Sequence, residues 1–554
     1  MENIRKQLFS EFHPISTETW EQLIIKDLKG ADYQKKLISV SEEGIQTKPY
    51  YRLEDITNST RNIPEKHKTW LAVCAVHVID IKTANKTALE NLQNGAQAIQ
   101  FDFNHKSYTT SELDTLFQGI LIEFAPIFCI HVGNPSTLNE WFMHYFSGKE
   151  HNPSTCICHD PFTNEGEFSE EITYSCLEFD SKTYADNGAN TTQQLGFLLA
   201  KFIETLNERT VKNVRFVVGT GTNYFMEIAK IRALRYLIHR IATFFDCKDF
   251  SYNIVAESTT INKSTLDHHT NMLRNTTEAM ASIIGGVDFL LIHPHDSLTE
   301  NTSSGSRLAV NIQHILHHES HLGKVTDIAQ GSWYIEYLTN QLIEKSWRIV
   351  MDIEAKGGFV KAKKEGFIDT IIQNSFEHLK RKAAERTISM IGVNKFPNAK
   401  DNISAELLST NERLATAFEE LRKEVQTSLC APIFYLLSGG QLSMRKARVN
   451  FATNFFQVAG YQTIENDGFD TLESAMESLL QHPTDFIVIC TDNEAWETWI
   501  PVISQKIGVD RLVIAGHPKL MPEVVKEMNI PHYIYEGCNV LDTLKRWLPS
   551  NPRG

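Results

Sequence analysis

Val214-Arg215-Phe216-Val217-Val218, then Tyr224–Phe245, then Asn253-Ile254-Val255-Ala256-Glu257: a short, mostly apolar strand, a helical pattern and a second such strand decide the fold of this 554-residue chain. Short near-continuous apolar strands joined through helices predict parallel pairing, with helices covering the sheet. The same unit recurs on either side. Strands are expected at Leu71–Val78, Ala98–Phe103, Ile120–Phe124 or Ile127–Val132, Cys176–Phe179, Val287–Ile292 and Lys324–Ile328, with helical patterns such as Gln193–Asn207 between most of them. Eight strands at this spacing predict an α/β chain with a closed (β/α)8 TIM-type barrel over residues 57–340. An open doubly wound sheet is the alternative, because periodicity does not distinguish closed from open parallel sheets.

Residues 1–56 read as an N-terminal helix and a polar arm. Ser16 and Thr17 offer caps, Glu18 and Glu21 suit the positive helix end, and Gly30 stops the helix. Residues 341–437 read as a helical connector: Tyr337–Ile391 is amphipathic and broken at Gly357-Gly358, and Asp401–Thr427 is charged and Leu-rich. Ser438-Gly439-Gly440 is the expected hinge into a last domain, 438–554. There Val449–Gly460, Ala475–Gln481 and Pro522–Met528 read as helices, with Phe486–Cys490 and Leu512–Ala515 as apolar strands. That alternation predicts a doubly wound, flavodoxin-like, cofactor-binding type of module. The turn before its first helix is expected at Ser443-Met444-Arg445-Lys446-Ala447-Arg448. It is bulky and basic where a ligand turn is usually Gly-rich.

Composition narrows the classes. With 42% hydrophobic and 22% charged residues the chain is an ordinary globular protein, too long for one core. A formal charge of −14 argues against non-specific nucleic-acid binding, which needs clustered cations. No run approaches the roughly 18 apolar residues of a membrane span. Met1–His13 lacks the apolar core of a signal peptide, and nine scattered Cys fit free thiols in a reducing compartment, so a cytoplasmic protein is expected.

Few motifs carry chemistry on their own. Cys156-Ile157-Cys158-His159-Asp160 has metal-ligand types without a second pair at zinc spacing, and reads better as a surface loop with free thiols. His314, His317, His318 and His321 are expected on one helix, but the Glu319 that follows is out of register for a zinc protease, which favours a solvated face. Gly219-Thr220-Gly221-Thr222 ends a strand and reads as a tight turn rather than a phosphate cradle, and Gly285-Gly286 as a helix stop. His293-Pro294-His295-Asp296, following the strand read as the seventh, is the one polar cluster placed on a barrel's catalytic face. No metal site is expected.

A specific resemblance runs along most of the chain. Tyr184 to Leu195, including Gly188-Ala189-Asn190, then Glu227-Ile228-Ala229-Lys230 with Arg232 and Arg235, resemble the barrel of methylmalonyl-CoA mutases. So do Arg274-Asn275-Thr276-Thr277-Glu278-Ala279-Met280-Ala281, Gly331-Ser332-Trp333-Tyr334, Glu354-Ala355-Lys356-Gly357-Gly358 and Ile391-Gly392-Val393-Asn394-Lys395-Phe396, all in family order. The resemblance implies an acyl-CoA-threaded barrel followed by a cobalamin domain. It also implies radical interconversion of methylmalonyl-CoA and succinyl-CoA, often by heterodimers of a catalytic large subunit and a diverged small one.

The departures point to the small subunit. Active members carry Asp-x-His-x-x-Gly ahead of the cobalamin domain's first helix, with the His as cobalt ligand; those positions here hold Ser443, Arg445 and Arg448. A guanidinium stays protonated and has no lone pair to give a metal. Later cobalamin contacts fall near Cys490-Thr491-Asp492 and Ala515-Gly516-His517. In the barrel, the substrate-binding Trp-Thr-Ile-Arg-Gln strand corresponds to Trp70-Leu71-Ala72-Val73-Cys74, and the Gly-Tyr-His whose His meets the thioester corresponds to Ser181-Lys182-Thr183. Val73 donates no hydrogen bond and Thr183 is short and un-ionised. The resemblance thus implies a non-catalytic small subunit with no catalytic or cofactor-binding residues of its own, and adenosylcobalamin on the large-subunit partner. An active isomerase in its own right, or an acyl-CoA binding or regulatory module, are the alternatives.

Overall fold

The computed structural model describes residues 15–56, 63–64, 69–149, 152–162, 172–299, 302–401, 403, 412–482 and 484–548. Eight parallel strands close a barrel: β1 (Leu71–His77), β2 (Ala98–Asp102), β3 (Ile127–Ile130), β4 (Cys156–His159), β5 (Ser175–Asp180), β6 (Asn213–Thr220), β7 (Ser251–Ser258) and β8 (Phe289–Leu291). They pair in sequence order, and β8 returns to β1 with Phe289 opposite Leu71. The decisive β6–helix–β7 unit forms as read: eight residue pairs run from Asn213↔Ser251 to Thr220↔Ser258 around the helix Tyr224–Phe244.

Membership of the barrel corrects the sequence reading at two places. Cys156-Ile157-Cys158-His159 is not a surface loop but β4, buried throughout. Strand alternation explains it: Cys156 and Cys158 point into the barrel core, and Ile157 points out under the helices. Lys324–Ile328 is not a strand. Asp327 takes a left-handed backbone (φ 40°) and its carboxylate is gripped by Arg232 at 2.8 and 2.9 Å, which breaks any extended run. Residues 163–171, where a helix is expected between β4 and β5, lie outside the described residues.

Outside the barrel, helix Trp333–Ala355 packs against helices Thr191–Glu208 and Tyr224–Phe244 through Leu338 and Leu342, both fully buried. Gly196 permits the approach, since a Cβ there would sit 2.5 Å from Ile349 Cγ2. The connector continues through Phe359–Lys364, Phe367–Ala384 and Thr416–Thr427; the Leu-rich residues 404–411 lie outside the described residues. The histidine helix is shorter than expected: Ser303–His314 is α-helical, Ile315–Glu319 is a π turn, and His321 takes a φ of 56° beyond it.

The last module is a five-stranded parallel sheet: β9 (Phe434–Gly439), β10 (Thr463–Ile464), β11 (Phe486–Thr491), β12 (Leu512–Ala515) and β13 (His532–Ile534). Their order, β10-β9-β11-β12-β13, is the flavodoxin-like 2-1-3-4-5. Ser438 and Gly439 end β9 rather than forming a hinge, and Gly440 (φ 78°) turns the chain. Helix Leu442–Gln457 then begins at once, so Ser443–Arg448 is helix rather than turn.

Candidate functional site

A TIM barrel places ligands at the carboxyl ends of its strands, and the resemblance to an acyl-CoA-threaded barrel adds the axis as a second place. Here the axis is packed. Val73, Ala98, Phe128, Cys156, Cys158, Cys176, Val217, Val255, Phe289 and Leu291 form one buried cluster inside the barrel. Phe128 and Phe289 meet edge to face with centroids 4.8 Å apart. Arg215, fully buried, lies over the Phe128 ring at 4.1 Å. Its guanidinium reaches Glu178 Oε2 at 2.7 Å, donates to Gln100 Oε1 at 2.9 Å and contacts Cys158 Sγ at 2.8 Å. Burial pushes the Glu178 carboxyl and the Cys158 thiol up from their ordinary values. The result is a close-packed core, with no reactive group free along it among the described residues.

The carboxyl ends of the strands carry charges that neutralise one another. Glu257, at the end of β7, accepts hydrogen bonds from Lys182 Nζ (3.1 Å) and pairs with His293 Nε2 (2.7 Å), and Lys182 also reaches Asp186 (2.9 Å). Burial raises the Glu257 carboxyl, but Lys182 and His293 outweigh it and hold it well below the usual carboxylate range. Across the mouth, Asp102 pairs with His77 Nδ1 (3.1 Å) and His131 Nδ1 (2.9 Å). Thr183 is exposed, and its hydroxyl donates to Asp180. A general base needs a proton acceptor facing substrate. These carboxylates are spent on their own neighbours, which suits locking adjacent loops together.

In a 2-1-3-4-5 sheet a ligand belongs in the crevice between β9 and β11, where the strand order reverses. Arg448 projects across it from helix Leu442–Gln457. Its guanidinium donates to the Thr491 carbonyl and to Asn493 Oδ1, and lies over the Trp496 ring at 4.1 Å. Gly439, at the end of β9, lies under Trp499, whose ring atoms would be 2.3 Å from a Cβ there. Gly516, after β12, is covered by Trp496 in the same way (2.8 Å). Asp492 closes the rim, accepting from Gln441 N at 2.6 Å. Arg445 packs over Gly468 with Nη1 3.6 Å from Asp470, and Ser443 is exposed.

The remaining sequence candidates separate. Gly219 and Thr220 end β6, and a Cβ on Gly219 would meet Ala185 and Thr259 at 2.7 Å, so this is close packing rather than a cradle. Gly286 stops its helix in the left-handed region, as read. His314 bonds the Gly95 carbonyl, and His317 packs against Trp70. His293 and His295, separated in sequence by Pro294 alone, face different partners, Glu257 and the pair His268-His269. Lys182, Glu257, Asp102 and His268-His269 were not legible as candidates; a charged residue closing a predicted strand was the available signal for Asp102 and Glu257. Several motif residues hold the scaffold instead: Arg232 donates to Glu336 at 2.8 Å, and Glu278 accepts from Lys263 at 2.6 Å.

Comparison with known proteins agrees with this architecture. The methylmalonyl-CoA mutase family model matches residues 170–432. The chain is 31% identical to the methylmalonyl-CoA mutase small subunit of Porphyromonas gingivalis over 98% of each chain. It is 23% identical to that of Streptomyces virginiae over 97% of each. Against the methylmalonyl-CoA mutase of Rhizobium meliloti it is 32% identical, over 38% of this chain and 31% of the other. End-to-end similarity at this level, on a closed barrel followed by a flavodoxin-like sheet, places the chain in the methylmalonyl-CoA mutase family, among relatives named as small subunits.

Proposed function

We propose that this chain is the non-catalytic small subunit of a heterodimeric methylmalonyl-CoA mutase. In this reading a large subunit carries adenosylcobalamin and interconverts methylmalonyl-CoA and succinyl-CoA, and the small subunit stabilises it. One observation carries the reading: the barrel axis and the crevice of the last sheet are both filled by the chain's own side chains. Adenosylcobalamin does not fit the residues present. Arg445 stands where the resemblance puts the cobalt ligand and is a permanently charged donor. Arg448, Trp496 and Trp499 take up the crevice. Val73 is buried in the barrel plug, so the substrate position of active relatives has become core. No catalytic step is assigned to this chain.

The N-terminal helix supports a partner-binding role. Thr17–Asp27 buries none of its residues and leaves Trp20 and Leu23, one turn apart on the same side, about half exposed, an apolar face suited to a catalytic partner. The test is purification with and without the large subunit, followed by mutase assay and by the visible spectrum with adenosylcobalamin. The expected outcome is activity and corrin binding that follow the large subunit, with the isolated small subunit self-associating. A large subunit fully active and stable alone, or tight corrin binding by this chain, overturns the proposal. The acyl-CoA-binding alternative places its pocket at the His293–Asp296 loop, where a cavity of about 620 Å³ lies beside His293. Asp80 and Glu90 line it and no Lys or Arg does, which is the wrong charge for coenzyme A phosphates.

A further inference from the structure

The loop between β7 and helix Thr270–Gly285 ends in His268-His269, and the turn after β8 carries His295. Neighbouring strands bring the three together: one ligand nitrogen from each lies within 4.8 Å of the others. Ring centroids are 4.2 Å apart for His268 and His269, and 5.8 and 5.5 Å from these to His295. His295 is 8% exposed, and its Nδ1 is buried without a hydrogen-bond partner among the described residues. Such a nitrogen is costly to bury unless a donor or a cation satisfies it. The pair precedes a helix N-terminus, whose dipole opposes a cation. The Asp296 carboxylate, which acts on the neighbouring His295, offsets it.

We propose that His268, His269 and His295 form a binding site for a divalent transition metal of the zinc type, with three imidazole ligands and an open fourth position. Neutral imidazoles favour zinc, nickel or cobalt over magnesium or calcium, which take oxygen ligands. Tetrahedral zinc at about 2.0–2.1 Å from nitrogen brings ligand atoms to about 3.4 Å apart, so the rings close inward on binding, most freely at the exposed His269. The bound ion ties the loop after β7 to the turn after β8. That loop also seats the connector helix Thr416–Thr427: Glu419 accepts from Ser264 Oγ and Thr265 N, both at 2.8 Å, and Asp401 accepts from Asp267 N at 2.8 Å. The metal therefore stiffens the joint between barrel and connector.

The test uses the untagged full chain, stripped with chelator and dialysed against zinc, with metal counted per chain, and cobalt absorption as a probe of tetrahedral nitrogen coordination. The expected result is a single equivalent, with affinity lowered at least about tenfold in both His295→Ala and His269→Ala. His269 is exposed, so its variant keeps the fold, checked by circular dichroism. His317→Ala/His318→Ala, on the other histidine cluster, leaves binding unchanged. Substoichiometric zinc, unchanged affinity in His269→Ala, or loss confined to the His317/His318 variant overturns the site.

Discussion

Replacing Arg448 by Ala removes three contacts at once from the carboxyl edge of the last sheet: hydrogen bonds to the Thr491 carbonyl and Asn493, and the guanidinium stacked over Trp496 at 4.1 Å. Each hydrogen bond from a charged donor contributes about 1.5 kcal/mol net. The cation–π contact at this half-buried place adds about 1 kcal/mol. Against them stands desolvation, since burial lowers the Arg448 pKa from its ordinary value, and regained hydration returns roughly 1 kcal/mol. The net loss is about 3 kcal/mol. The chain has several modules, so one global unfolding midpoint would blur the effect. Amide exchange read by mass spectrometry resolves it: exchange at Phe486–Thr491 accelerates on the order of 100-fold, at about 1.4 kcal/mol per factor of ten, while barrel strands β6 and β7 are unchanged. Corrin binding is not gained, because Trp496 and Trp499 still cover Gly516 and Gly439. Exchange within about twofold of the parent protein, or tight adenosylcobalamin binding by Arg448→Ala, refutes the filled crevice.

Three further outcomes are expected. Glu419→Ala strands Arg413, each partner 2% exposed and paired at 2.8 Å, and lowers stability by about 3–5 kcal/mol; Arg413→Met/Glu419→Leu costs far less, and equal thermal midpoints for the two would reject a true buried pair. Gly188→Ala forces a Cβ to 2.6 Å from Phe376 Cβ at φ 96° and costs about 2–4 kcal/mol by denaturant titration, whereas Gly148→Ala, at φ 76° in open space, costs about 1 kcal/mol. Burial raises the Asp102 carboxyl, but hydrogen bonds with His131 and His77 outweigh it and depress it, so its stabilisation is present above about pH 4 and lost as pH falls through the depressed value. The Asp102 hydrogen bond raises His77, whose contribution is complete below about pH 6.5 and lost as pH rises through the raised value. The thermal midpoint of Asp102→Asn should therefore fall furthest below that of the parent between about pH 4 and 6.5.

The barrel was legible because strand–helix alternation is a local signal, as at Val214–Val218 and Tyr224–Phe244. Its errors fell where side-chain chemistry competed with period. Cys156-Ile157-Cys158-His159 looked like ligands, yet cysteine is among the most readily buried small side chains and here fills the barrel. Lys324–Ile328 carries β-branched residues, but a tertiary ion pair from Arg232 holds Asp327 out of any strand. Ser443–Arg448 looked like a basic turn, while Met, Arg, Lys and Ala are good helix formers on a largely exposed face. Gly439-Gly440 looked like a hinge; Gly439 is glycine because the Trp499 ring occupies the place of its Cβ. The histidine triad was beyond reach, since His295 meets His268-His269 only through the neighbouring strands β7 and β8.

The two filled places share a construction. Arg215 over Phe128 and Arg448 over Trp496 both stand at 4.1 Å, one inside the barrel and one at the sheet crevice. Each cation is desolvated by its place in the fold and held by acceptors at its rim. A cavity kept open for substrate or corrin forgoes packing, and each large apolar side chain that fills it contributes about 1.5–3 kcal/mol. Under the proposed function, a subunit whose partner performs the chemistry gains stability from closing both spaces and loses nothing by it. Selection on such a chain then acts through its outer surface and the joints that hold its modules together. The uncovered face of Thr17–Asp27 and the buried Arg413–Glu419 pair are where substitutions should weaken the complex without touching any catalytic atom.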